Sequence, residues 1–404
     1  MKIIVCDYVY TPEGFKKDLA VAFESVIIDI DSFETIQQKY PNATIIETAP
    51  HSILYPGFIN THVHLEFSTN KTTLQYGDFM PWLDSVIANR DELIGACDNI
   101  MMRDACDDML RSGITSFGAI SSFGNELQVC EQTPQRVVFF NELIGSNMAY
   151  VDMLFGDFQE RLKASKQCSK SSRITPAIAI HSPYSVHPIV LQKAVNIAQS
   201  ESLLVSAHLL ESKSEREWLE NGEGEFKTFF EKYFNTSTPV TNIDEFIHAF
   251  DSHPTHFTHC VQATQKELDY LSLKGHSIAH CPRSNRYLGC GRLPIENLSM
   301  PFSIATDGLS SNDSLNIFDE LRAGLMLHHQ APMRELANRF IKAVTSDSAD
   351  ILRLNCGRID VGKNADFAVV TMREQPKQEE DLALWTILHT KEATQVYIEG
   401  EKYV

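Results

Sequence analysis

The stretch "PGFINTHVHLEF" runs from Pro56 to Phe67. An apolar run opens on Pro-Gly and ends in two histidines one residue apart, His62 and His64. On a strand, residues i and i+2 point to the same side. If this run is a strand of a closed parallel barrel, both imidazoles face the axis near its C-terminal mouth, where barrel enzymes keep their chemistry. An inward histidine pair in an apolar barrel is costly without a partner, and a metal ion is the obvious one. The pair alone is a weak signal, because the chain holds 15 histidines in 404 residues.

Working outward, apolar strand-like runs end near His64, Ser121, Gly145, His181, His208, Cys260, Cys281 and Asp307, with helix-like segments between most of them. In "HPIVLQKAVNIAQSES", Val190, Ala194, Ile197 and Ala198 fall at helical spacing after Pro188. Eight such units over roughly 250 residues are what a (β/α)8 barrel requires. An open doubly wound sheet is the competitor, and no GxGxxG follows the first strand to favour it. Residues 1–55 and 356–404 read as short β-branched strands and Gly turns, as in "KIIVCDYVY" and "GRIDVGKNADFAVVTM". The expected organisation is therefore a small β-sandwich from both terminal segments, 1–55 and 356–404, and a TIM-like α/β barrel over 56–355. Two connections are long, 65–113 and 212–255. Each reads as a pocket wall or lid, and the second equally as helices packed on the barrel's outside.

The other strand ends give the first pair its context. "LLVSAHLLES" places His208 at the end of the fifth strand, "THFTHC" places His259 at the sixth, and "PFSIATDGLSSN" places Asp307 at the eighth. Each alone is as well read as a core or capping residue. Five at one end of one barrel read as a metal centre. Glu211 follows His208 by three residues, within reach of a substrate at that metal, or as a first-turn acid complementing a helix dipole.

Composition bounds the rest. The chain carries a net charge of −18, which repels phosphate backbones and anionic lipid, so nucleic acid and membrane are excluded as expected partners. Nine scattered cysteines with no CxxC pair read as free thiols in a reducing compartment. "MKIIVCDYVY" lacks the apolar core of a signal peptide, so a cytoplasmic protein is expected.

The ordered set "PGFINTHVH", "HSPYSV", "SAHLLES", "THC", "HCPRSN", "ATDGLSSN" and "GRIDVGKNADFAVV" resembles the amidohydrolase superfamily, and within it the nucleoside and chlorohydrolase-type deaminases. The resemblance spans nearly the whole chain. It implies one divalent metal held by His62, His64, His208 and Asp307, with Glu211 and His259 as the catalytic pair and Asp307 sharing in proton transfer. Two-metal members carry a lysine at the end of the fourth strand. Here that strand, "ITPAIAIHSPYS", offers His181 and no lysine, which argues for a single metal. Histidine and carboxylate ligands suit Zn²⁺, and Fe²⁺ and Mn²⁺ are compatible.

"HVHLEFS", "YGDFMPWL", "GAISS", "NELIGS", "HLLESKSE" and "CPRSNRYL" are most similar to the 6-amino-6-deoxyfutalosine deaminases of the futalosine route to menaquinone. That resemblance implies an adenine nucleoside with a carboxyphenyl-ketone tail as substrate, Trp82 and His181 lining the purine pocket, and a homodimer. Deaminases of adenosine, 5'-methylthioadenosine or S-adenosylhomocysteine are the alternative, with guanine deaminases and chlorohydrolases further off. One departure matters: related nucleoside deaminases carry a ribose-binding Glu two residues before the Trp that matches Trp82, and here the position is Met80. Glu66 is a candidate replacement if the first strand keeps its 62, 64, 66 parity, and a solvated loop acid otherwise. Glu142, at the end of the third strand, is a second candidate. Arg286, after the seventh strand, can grip a benzoate with two parallel hydrogen bonds, or form a surface ion pair.

Overall fold

The computed structural model describes residues 1–69 and 73–404. The eight apolar runs form eight strands: Phe58–Val63, Ile114–Ser121, Arg136–Leu143, Ile174–Ile180, Val205–Leu209, Thr255–His259, Ser277–His280 and Phe302–Ile304. They lie in one sheet in sequence order, and every recorded pairing from the third to the eighth is parallel. The Asp307 N–H donates to the His62 carbonyl at 3.1 Å, so the last strand's exit reaches the first strand's end. This is the TIM-like barrel, nearly closed. Phe58–Val63 and Ile114–Ser121 are buried along their whole length, as expected where helices cover one face and packed side chains fill the other. Gly308 permits the closure next to the site, because a Cβ there would lie 2.9 Å from the His64 Cβ.

The terminal segments pair as expected. One four-stranded sheet orders Ile27–Asp31, Ala20–Phe23, Lys2–Val5 and Thr44–Glu47. A six-stranded sheet orders Glu401–Lys402, Gln395–Ile398, Phe367–Thr371, Ser52–Pro56, Tyr8–Thr11 and Gly14–Lys16. Val21, Phe23, Leu54, Phe367, Val369 and Tyr397 share one buried cluster, so chain ends far apart in sequence build one core. The chain divides into two compact units, Met1–Asn60 with Cys106–Phe117 and Asn316–Val404, and Thr61–Ala105 with Gly118–Leu315. The second unit carries every candidate site residue.

The long connections are helical. The first holds Phe79–Ala96 and Asn99–Arg111, and its residues 70–72 lie outside the described residues. The second holds Lys213–Asn221, Glu225–Phe234 and Ile243–His248. Phe226 packs on Phe79 of the first connection at 6.1 Å and on Tyr184 at 4.7 Å. Among the described residues no helix is long and apolar enough to cross a membrane.

Candidate active site

The C-terminal ends of the first, fifth, sixth and eighth strands bring His62, His64, His208, His259 and Asp307 together. The ring centre of His62 lies 5.0 Å from that of His64, 4.9 Å from His208 and 6.1 Å from His259. Ligand atoms of His62, His208 and His259 lie within 4.8 Å of one another, as do those of His62, His64 and Asp307, and those of Glu211, His259 and Asp307. The backbone is strained here. His259, Cys260, Leu210 and Asp307 have φ of 71°, 49°, 49° and 60°, a region that costs roughly 1–3 kcal/mol for a non-glycine residue and clusters at functional sites.

The outer nitrogens of three of these rings are held. Thr258 Oγ1 lies 3.2 Å from His62 Nδ1, the His181 carbonyl accepts from His208 Nδ1 at 2.6 Å, and Asn285 Oδ1 lies 2.9 Å from His259 Nδ1. Such bonds orient a ring and leave Nε2 to face inward. His62 Nε2 and His64 Nε2 each lie 3.7 Å from Asp307 Oδ1, and His62 Nε2 is buried with no hydrogen-bond partner. Burial, reinforced by His62, lowers the His64 pKa to about 4; burial does the same to His259 and drives His208 well below the ordinary value. Burial works to raise Asp307, but His62, His259 and His64 beside it hold its carboxyl well below the usual range. The neutral imidazoles of His64, His208 and His259, an ionised Asp307 and the orphaned His62 Nε2 fit a divalent ion. Glu142, His181 and His208 also come within 4.8 Å. There, however, His208 Nδ1 already donates to a carbonyl, so a second ion gains nothing from it.

Glu211 lies beside this centre, its Oε2 3.6 Å from His259 Nε2. Burial, then the charges of Asp307 and Glu215, push its pKa well above the carboxylate range. Glu215 explains how Glu211 is held. Its two carboxylate oxygens accept the backbone N–H groups of Leu210 at 3.0 Å and Glu211 at 2.7 Å. The sequence reading missed Glu215. Its signal was the pattern Ser212-x-x-Glu215, a helix start, and Ser212 Oγ does accept the Glu215 N–H at 3.1 Å. Ser284 and Asn285, quoted in the sequence motif but given no role, also reach the centre. Ser284 Oγ donates to Asp307 Oδ2 at 2.7 Å, and Asn285 faces His259.

The remaining candidates divide. His181 is ring-to-ring with His208 at 5.3 Å, and Ser185 Oγ lies 2.6 Å from its Nδ1. Trp82 Nε1 donates to the Ser310 carbonyl at 2.8 Å, placing it against the loop after Asp307. The first strand ends at Val63, and Leu65–Phe67 is a 3-10 turn, so strand parity does not carry to Glu66. Glu66 is nonetheless buried, with both carboxylate oxygens 3.1 Å from the Ser122 N–H. Glu142 Oε2 accepts from Ser122 Oγ at 2.6 Å, while its Oε1 is buried without a hydrogen bond, 4.0 Å from His208 Nδ1. Glu126, absent from the sequence reading, is fully buried beside Glu66. Arg286 is not drawn into the cluster. It lies exposed near the end of the helix Pro282–Tyr287 and forms no ion pair among the described residues.

Residues 53–402 match the amidohydrolase family. The aminodeoxyfutalosine deaminase of a Nitratiruptor species is 44% identical over 405 residues, covering 100% of both chains. The adenosine deaminase of Helicobacter pylori is 33% identical, over 96% of this chain and 95% of that one. Among solved structures, Helicobacter pylori aminofutalosine deaminase in complex with methylthio-coformycin superposes with a TM-score of 0.95, at 32% identity and covering 100% of both chains.

Proposed function

The chain belongs to the amidohydrolase family, as a hydrolase acting on C–N bonds, and on that premise we propose that it deaminates an adenine nucleoside: 6-amino-6-deoxyfutalosine and water give futalosine and ammonia, a step toward menaquinone. The observation that carries the reading is the meeting of Glu211, His259 and Asp307 within 4.8 Å beside the three other histidines. Full-length identity of 44% to an aminodeoxyfutalosine deaminase supports the substrate.

His62, His64, His208 and Asp307 would hold one divalent ion, Zn²⁺ by donor preference, with Fe²⁺ and Mn²⁺ matched by the same donors. When bound, such an ion supplies Lewis acidity that brings water toward hydroxide at neutral pH. The chain's own groups do the rest. Glu211, kept protonated by burial, gives its proton to a purine ring nitrogen and makes the adjacent carbon electrophilic. His259 Nε2 and Asp307 Oδ2, 4.0 Å apart, accept the proton of the attacking water. His259 and Asp307 pass that proton to the exocyclic amine, which leaves as ammonia while the new hydroxyl returns its proton to Glu211. Trp82 and His181 line the purine side. Glu142, with one unpartnered carboxylate oxygen, is better placed than Glu66 to take the role missing at Met80. Arg286 takes the tail carboxylate. Nine free cysteines support a cytoplasmic location, and the partners are the substrate and a second copy of the chain.

A deaminase of adenosine, 5'-methylthioadenosine or S-adenosylhomocysteine is the second reading, favoured by the 33% identical relative named adenosine deaminase. Ammonia release by the metal-loaded protein, measured with aminofutalosine, methylthioadenosine, S-adenosylhomocysteine, adenosine and guanine side by side, separates the two. The highest kcat/KM on aminofutalosine, alone or tied with methylthioadenosine, supports the first. Reaction of the plain nucleosides alone supports the second. No reaction with metal bound removes the purine reading.

A further inference from the structure

Behind the two groups that face Glu211 lies one short helix, Pro282–Tyr287, and two consecutive residues of it reach them. Ser284 Oγ donates to Asp307 Oδ2 at 2.7 Å, and Asn285 Oδ1 lies 2.9 Å from His259 Nδ1. Both side chains are fully buried. The two contacts differ in redundancy. Asp307 Oδ2 has a second donor, Ser311 Oγ at 3.0 Å, and Oδ1 accepts the Gly308 N–H at 2.8 Å. Asn285 is the one side chain hydrogen-bonded to His259 among the described residues.

We propose that Asn285 is a positioning residue that fixes the proton of His259 on Nδ1, leaving Nε2 as a lone pair turned toward Glu211 and Asp307. The inference rests on the deaminase reading for its kinetic consequence, and not for its structural content. Which ring nitrogen of a histidine carries the proton is decided by the hydrogen bond the other nitrogen makes. An amide oxygen only accepts, so with Oδ1 facing the ring the proton sits on Nδ1. Nε2 then lies 3.6 Å from Glu211 Oε2 and 4.0 Å from Asp307 Oδ2 with no hydrogen of its own. In that state it can take a proton from water. In the reversed tautomer it would present an N–H to both carboxylates and could take none. Asn285 Nδ2 is buried without a hydrogen-bond partner, so the contact to His259 is the one hydrogen bond this side chain makes among the described residues.

The test compares Asn285→Asp, which keeps an accepting oxygen at Oδ1, with Asn285→Leu, which keeps the bulk and loses the acceptor. Nitrogen NMR of histidine-labelled, metal-loaded protein reads the tautomer, with the His259 signal assigned by its loss in His259→Gln. The wild type and Asn285→Asp are expected to carry hydrogen on Nδ1, and Asn285→Leu to populate the other tautomer. Asn285→Leu should lose about one hundredfold or more in kcat with KM and metal content little changed, while Asn285→Asp recovers to within about tenfold of wild type. Ser284→Ala, backed by Ser311, should lose less than Asn285→Leu. A wild-type His259 protonated on Nε2 overturns the proposal. So does Asn285→Leu with normal kcat, or equal loss in both Asn285 variants at full metal content. If Asn285→Leu does not fold, the wild-type tautomer decides alone. A wild type that turns over none of the nucleosides sinks the functional reading and leaves the tautomer measurement standing.

Discussion

Two buried polar clusters meet at the barrel mouth, 4.0 Å apart at His208 Nδ1 and Glu142 Oε1, and each is neutralised differently. In the first, His62, His208 and His259 meet Thr258, the His181 carbonyl and Asn285 at Nδ1, and Nε2 of His62 and of His259 lie 3.7 and 4.0 Å from Asp307. Burial keeps the His64, His208 and His259 rings uncharged, and a cation would satisfy the set. In the second, the N–H and Oγ of Ser122 serve Glu66 and Glu142, and Glu126 lies beside Glu66. Arg161, the nearby cation, directs its donors to the carbonyls of Ser121 and Glu142 instead. Here protons do what a metal would do in the first. Burial lifts Glu66 well above the carboxylate range and Glu126 to about 7. A buried acceptor set can thus be completed by an ion or by protons, and the residue type decides which: imidazole is a ligand when neutral, whereas a neutral carboxylic acid is an O–H donor.

The largest effect should come from breaking the first cluster. His62→Ala is expected to lose the metal and abolish turnover. Elemental analysis with ammonia release checks this, and a variant that binds metal normally and turns over removes His62 from the ligand set. Glu211→Gln leaves the ligands intact, so it should retain metal and lose about a thousandfold or more in kcat. Near-normal turnover would take Glu211 out of the mechanism. Arg286→Ala lies outside both clusters and should raise KM about tenfold for a carboxylated substrate and leave adenosine unaffected. Equal effects on both substrates would sink that role.

The smallest effect sharpens the contrast at the second cluster. Glu126 has a folded pKa of about 7 against an ordinary 4.5. Between those values the folded protein binds the extra proton, so the stability contributed by protonated Glu126 declines as pH rises and is lost above about 7. Glu126→Gln, uncharged at every pH, should therefore raise the apparent Tm over wild type by about 3 °C at about pH 8 and not at about pH 4.5. A difference independent of pH would mean that Glu126 holds no proton there.

Strand ends and ligand types were legible from the chain because both are local. A β-branched run sets the strand, its two-residue period aims His62 and His64 together, and the same pattern recurs at His208, His259 and Asp307. The full-length motif order carried the family with it. What Glu66 does was not legible, because the 3-10 turn at Leu65–Phe67 ends the parity that pointed to it. Glu215 showed a helix-start pattern, but only the strained exit after Leu209 turns its carboxylate back onto the Leu210 and Glu211 amides. Glu126 carries no local signal at all, since a carboxylate in a connecting segment is ordinarily solvated and its burial depends on what folds over it. The barrel, and the standing of His62, His64, His208, His259 and Asp307 at one end of it, were written in the local pattern of the chain. Tertiary contacts set which nitrogen each ring turns inward and raise the pKa of Glu66, Glu126 and Glu211. Those depend on single hydrogen bonds between residues tens to hundreds of positions apart, and on burial, which no local pattern records.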